Sequence, residues 1–149
     1  YENIDDIDRP LKERGIHDAY DMANRLKNKK IFPGLIIASP ATRAYHTASI
    51  FARTLDYPVE TIRIQGSFYP GDDGNIMDVL KETKDAVKSV MIFGHNPAFT
   101  DLTNRFMQEK INKVPTAGIA VIEFDAQSWK EIEDSDISKT WLDYPKKKG

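Results

Sequence analysis

Two stretches of this 149-residue sequence join an apolar run to a residue that can handle an anion. They are Ile36-Ile37-Ala38-Ser39-Pro40-Ala41-Thr42-Arg43 and Met91-Ile92-Phe93-Gly94-His95-Asn96-Pro97. Each reads as the end of a buried strand followed at once by the start of a helix. In an open α/β sheet, ligands bind beyond the carboxyl ends of the strands, where helix N-termini direct unpaired N–H groups at an anion. Arg43 and His95 would converge there. A guanidinium fork matches phosphate oxygens, and a histidine beside it can donate hydrogen bonds or take up a proton. The pair suits phosphate, with Asn96 as a third candidate phosphate ligand.

Plainer readings compete at each position. An arginine in a first helical turn can be a surface charge, and Asn96 and Pro97 suit the N-cap and first positions of a helix. That leaves His95 as the residue needing a functional explanation. His17 and His46 read as structural, the second lying off the apolar stripe of its helix. Asp5, Asp6 and Asp8 match no calcium-loop spacing and lack a closing glutamate, so they read as a solvated loop. No metal-ligand pattern and no cofactor is assigned.

The elements that must position these residues follow from periodicity. Ile16, Ala19, Met22, Ala23 and Leu26 recur at intervals of three and four, giving a helix from about Gly15 to Lys27. The run at Leu35–Ala38 and that at Ser89–Phe93 read as strands buried on both faces. Helices follow each, one carrying Ala44, Ala48, Phe51, Ala52 and Leu55 inward with Pro40 in its first turn, the other carrying Ala98, Leu102 and Phe106. Ile62 and Ile64 suggest a short strand, Tyr69–Gly74 a loop, and Ile76, Val79 and Leu80 a further helix. Ile119–Phe124 is a last strand, expected to turn at Asp125–Ser128 and return through Trp129 to Ile132 as an antiparallel hairpin. The fold class is therefore three-layer α/β/α with a mostly parallel central sheet and an antiparallel edge near the C-terminus. Residues 1–149 form a single domain. It opens on a helix where such folds normally open on a strand, so a central strand is expected upstream of Tyr1.

Composition narrows the class. Hydrophobic residues at 40% and charged residues at 30% are ordinary for a globular domain. A net charge of −2 provides no field for nucleic acid, and the basic run Lys146–Lys148 reads as a solvated tail. With no cysteine there is no thiolate nucleophile and no Cys-based metal site, and a cytoplasmic location is the default. No apolar stretch approaches the roughly 20 residues of a membrane span.

Taken together, Asp8-Arg9-Pro10-Leu11 with Gly15, Ser39-Pro40-Ala41-Thr42-Arg43-Ala44 with Thr47-Ala48, Gly94-His95-Asn96-Pro97, and Pro115-Thr116-Ala117-Gly118 resemble the histidine phosphatase superfamily, in particular its small SixA-like phosphohistidine phosphatases. The resemblance spans nearly the whole chain in order and spacing. It implies that Arg43 binds phosphoryl oxygens and that His95 stabilises charge during transfer, both as catalytic residues. The family's Arg-His-Gly or Arg-His-Ala triplet, whose histidine is the nucleophile, does not occur in this sequence. Its expected place is just before Tyr1. The resemblance implies a metal-independent phosphatase that needs no cofactor, acting on a phosphorylated protein such as a histidine phosphotransfer domain. Alternatives are a non-catalytic phosphohistidine-binding module and a small-molecule phosphomonoesterase of the same fold. Asp72 and Asp73 fit poorly as a general acid, and none is assigned.

Overall fold

In the computed structural model, residues 5–146 are described, so Lys147 and Lys148 of the basic run lie outside the described residues. A 3-10 turn at Asp6–Asp8 leads into α1 (Glu13–Asn28), β1 (Leu35–Ala38) and α2 (Thr42–Thr54). There follow β2 (Arg63–Ile64), α3 (Asp73–Lys81), β3 (Val90–Phe93) and α4 (Ala98–Asn104). The strands β4 (Ile119–Asp125) and β5 (Asp136–Asp143) complete the order.

β1 pairs in parallel with β2 on one side and β3 on the other, Leu35 opposite Val90 and Ala38 opposite Phe93. Alternation along the strands sorts side chains onto two faces. Ile36 and Ala38, with Met91 and Phe93, pack on Ala48 and Ala52 of α2. α1 closes that layer by setting Ala19, Met22, Ala23 and Leu26 against Ile50, Phe51 and Leu55. On the opposite face Ile37, Leu35, Val90 and Ile92 meet Ile76, Met77 and Leu80 of α3 and Ala98 and Leu102 of α4. The three layers expected from sequence are present.

Three expectations need correction. The segment from Trp129 is not the returning strand: Trp129–Glu131 is a 3-10 turn, and the partner of β4 is β5, antiparallel with a register shift between Glu123 and Phe124. Pro40 precedes the helix, because Ala41 is the N-cap of α2 and Thr42 its first residue. β3 is not buried on both faces; all four of its residues are only half-buried, whereas β1 is buried from Ile36 to Ala38.

The last difference has a structural cause. β1 is flanked on both edges, but β3 is paired only with β1, and β4 only with β5, among the described residues. Between these two strands lies an open cavity of about 1510 Å³, lined by Val90–Phe93 and by Ile119–Phe124. α1 and α2 contribute Ala19 and Phe51 to its wall, and Trp141 comes from β5.

Candidate active site

The carboxyl ends of β1 and β3 bring the two sequence candidates together. Ser39 continues β1, its N–H donating to the Phe93 carbonyl at 2.9 Å, and Arg43 follows in the first turn of α2. Gly94 and His95 continue β3. A side chain at position 94 could not be accommodated without movement, since a Cβ there would lie 2.5 Å from the Phe99 ring of α4. The Arg43 guanidinium reaches His95, with Nη2 3.5 Å from Nδ1. Both residues line the mouth of the cavity between β3 and β4.

His95 is oriented from behind. Its Nε2 lies 2.8 Å from the hydroxyl of Ser39, a fully buried residue whose Oγ also accepts from the Ala41 N–H at 3.1 Å. Arginine only donates, so the nitrogen facing it, Nδ1, is assigned as the acceptor and Nε2–H as the donor to Ser39. Burial, and then the charge of Arg43, hold the His95 pKa below its ordinary value, with Asp6 opposing. The resting imidazole is neutral, with its Nδ1 lone pair turned towards Arg43.

Asp6 also corrects the sequence reading. It is exposed, as a solvated loop would be, yet its backbone carbonyl accepts from Arg43 Nη1 at 2.9 Å and its carboxylate from Nη2 at 3.4 Å. The same oxygen, Oδ2, accepts from the Tyr69 hydroxyl at 2.5 Å. The Tyr69 ring meets the His95 ring edge-on, 5.4 Å between centroids. The Tyr69 hydrogen bond is the main cause that lowers the Asp6 pKa, and its counterpart raises that of Tyr69. Asp6, Arg43, His95 and Tyr69 thus form a closed ring of contacts. Ser39, Asp6 and Tyr69 were not legible as site residues, although Ser39 ends a buried strand and that position was a usable signal.

Asn96 is placed beside His95 but its side chain is engaged elsewhere. Its Oδ1 accepts from the Thr100 N–H and hydroxyl, at 3.1 and 2.8 Å, and its Nδ2 donates to the Val114 carbonyl at 3.0 Å. It fixes α4 and the 114 loop, and with them His95. His17 and His46 take no part in this ring. Asp72 caps α3 through the Asn75 N–H and Asp73 pairs with Arg105, so neither is free for acid catalysis. No cluster of three or more metal-binding side chains occurs among the described residues, and no helix there is long and apolar enough to cross a membrane.

Comparison with known proteins identifies the family. The description "Histidine phosphatase superfamily (branch 1)" matches residues 4–63. An uncharacterized protein of Mycobacterium tuberculosis is 30% identical over 143 residues, covering 89% of this chain and 86% of that protein. An uncharacterized chloroplastic protein of Arabidopsis thaliana is 28% identical over 137 residues, covering 87% of this chain and 62% of that one. Among solved structures, the protein histidine phosphatase SixA complexed with tungstate superposes with a TM-score of 0.79 at 25% identity, covering 95% of this chain and 87% of that chain. A SixA protein from Agrobacterium tumefaciens gives 0.78 at 22% identity, covering 95% and 88%, a likeness of fold. These matches support a phosphatase, and by sequence and by fold the chain belongs to the histidine phosphatase superfamily.

Proposed function

We propose that the protein removes phosphate from a histidine-phosphorylated signalling protein, such as a histidine phosphotransfer domain, through a covalent phosphohistidine intermediate. The observation that carries this reading is the approach of Arg43 to His95 at the mouth of a cavity bordered by two strand edges that have no partner among the described residues. An extended segment of the same polypeptide, preceding residue 1 and ending in Arg-His-Gly or Arg-His-Ala, would fill that cavity as a strand within the one domain. It would deliver its histidine between Arg43 and His95.

The attacking nitrogen would take the phosphoryl group, and water would then release it as phosphate. Charge spread over the equatorial oxygens makes fixed cations and N–H donors the main source of rate in such transfers. Arg43 supplies a fork for two oxygens. A phosphoryl anion beside His95 would reverse the effect of Arg43 on the ring and draw a proton onto Nδ1, giving a second cation. The backbone N–H groups that open α2 add donors. These groups supply the positive charge a metal would otherwise bring, so the reaction is proposed to be metal-independent, and to occur in the cytoplasm where phosphotransfer partners reside.

The full-length protein, incubated in EDTA with a histidine-phosphorylated phosphotransfer domain, is expected to release phosphate and to form a phosphoenzyme that is acid-labile and base-stable. Tight binding of the phosphorylated domain without turnover would replace this reading with a binding module. Fast hydrolysis of sugar phosphates with none of phosphohistidine would replace it with a small-molecule phosphomonoesterase.

A further inference from the structure

We infer that Asp6, held by Tyr69, recognises the leaving group and selects a protonated phosphoimidazole over a phosphate ester. The inference rests on the function proposed above. Asp6 and Tyr69 contact Arg43 and His95, yet neither lines the cavity from which the attacking histidine would come. Phosphoryl transfer places the attacking and leaving atoms roughly in line. An attack from the cavity therefore expels the leaving group on the far side of phosphorus, where Asp6 and Tyr69 close the ring of contacts.

The chemistry of the two side chains fits that position. Asp6 uses only Oδ2 towards Tyr69 and Arg43, and Oδ1 accepts no hydrogen bond among the described residues. It is a carboxylate with one open acceptor, fixed by a phenol and a guanidinium. In phosphohistidine one ring nitrogen carries phosphorus and the other can carry a proton, which makes the ring cationic and the N–P bond labile. Asp6 Oδ1 would accept from that N–H and favour the protonated form. On cleavage the N–P electron pair returns to the ring nitrogen and the phosphoryl group passes to the attacking nitrogen. The proton stays on the far nitrogen, and a neutral imidazole departs with no general acid needed. A phosphate ester leaves as an alkoxide or phenolate instead, and its growing negative charge would meet the Asp6 carboxylate.

The test compares kcat/KM of the full-length protein on a histidine-phosphorylated peptide and on 4-nitrophenyl phosphate. Asp6→Asn is expected to lower the ratio of the first to the second by about tenfold, the worth of one charge-assisted hydrogen bond at an open site. Tyr69→Phe, which frees the carboxylate without neutralising it, should move the ratio the same way by a smaller factor. Any disturbance of Arg43 weakens both substrates together and cancels in the ratio. An unchanged ratio in Asp6→Asn, with wild-type protein active on both substrates, would overturn the assignment alone. Wild-type protein active only on the nitrophenyl ester would overturn the phosphohistidine reading itself, and this assignment with it.

Discussion

Ser39→Ala tests whether His95 works only because it is held from behind. The substitution removes one oxygen that serves two groups: His95 Nε2 at 2.8 Å and the Ala41 N–H at 3.1 Å. Ala41 is fully buried, so its N–H loses a partner that water cannot easily replace, at about 1 to 3 kcal/mol. His95 is half-buried and loses a further increment of about 1 kcal/mol. The sum, about 2 to 4 kcal/mol, corresponds to a fall in Tm of roughly 5 to 15 °C for a domain of this size. Catalysis should suffer separately. A freed imidazole no longer presents Nδ1 to the pocket, and the loss is bounded by that of a whole oxyanion-type contact, about 10²- to 10³-fold. A fall in kcat of roughly 10- to 100-fold is expected, read with 4-nitrophenyl phosphate below the variant's melting range. In a His95→Ala background the same Ser39→Ala change should cost almost nothing further in kcat, while still lowering Tm. Wild-type kcat in Ser39→Ala, with the expected loss of stability, would show that Ser39 only shapes the turn into α2 and would refute the argument.

Arg43→Ala and His95→Ala should each reduce kcat/KM by about 10²- to 10³-fold while leaving circular dichroism close to wild type, because both side chains stand at the cavity mouth. Arg43→Lys should also fail substantially, since a point ammonium cannot span Asp6 and a phosphoryl group as the fork does; wild-type rates in either alanine variant would remove that residue from the site. Because burial and Arg43 depress the His95 pKa, the unfolded chain takes up a proton first as the pH falls. This contribution to stability is complete above the ordinary value of 6.5 and is lost as the pH drops towards the folded value. Denaturant unfolding at about pH 7.5 and 5.5 should therefore show a larger acid loss in wild type than in His95→Gln, and equal losses would contradict the assignment of a neutral, half-buried ring.

Local periodicity reached most of the layer plan and missed one strand. The stripe through Ala19, Met22, Ala23 and Leu26 and the run at Leu35–Ala38 each declare their own period, and both elements form where that period places them. β5 does not declare one. Asp136–Asp143 alternates poorly, its ladder with β4 slips at Glu123/Phe124, and its pairing is set by a partner strand and not by its own pattern. Trp129, which looked like the start of the return, is committed to the Val87 carbonyl through its indole N–H at 2.7 Å.

The same division runs through the site. Sequence alone placed Arg43 and His95 after two strand-to-helix junctions, because a buried apolar run followed by helix-starting residues is a local signature and parallel sheets gather such ends on one rim; that the two strands are neighbours came only with the pairing of β1 and β3. Only the tertiary structure decided what holds them. Ser39 lies 56 residues from His95, and Asp6 lies 37 from Arg43 and 63 from Tyr69. A serine after a strand, an aspartate in an acidic turn and a tyrosine before a proline carry no local mark of partners so far along the chain. Contacts at that range exist only once the sheet has brought the loops to one edge, and there a side chain's hydrogen-bond partner is set by position in space.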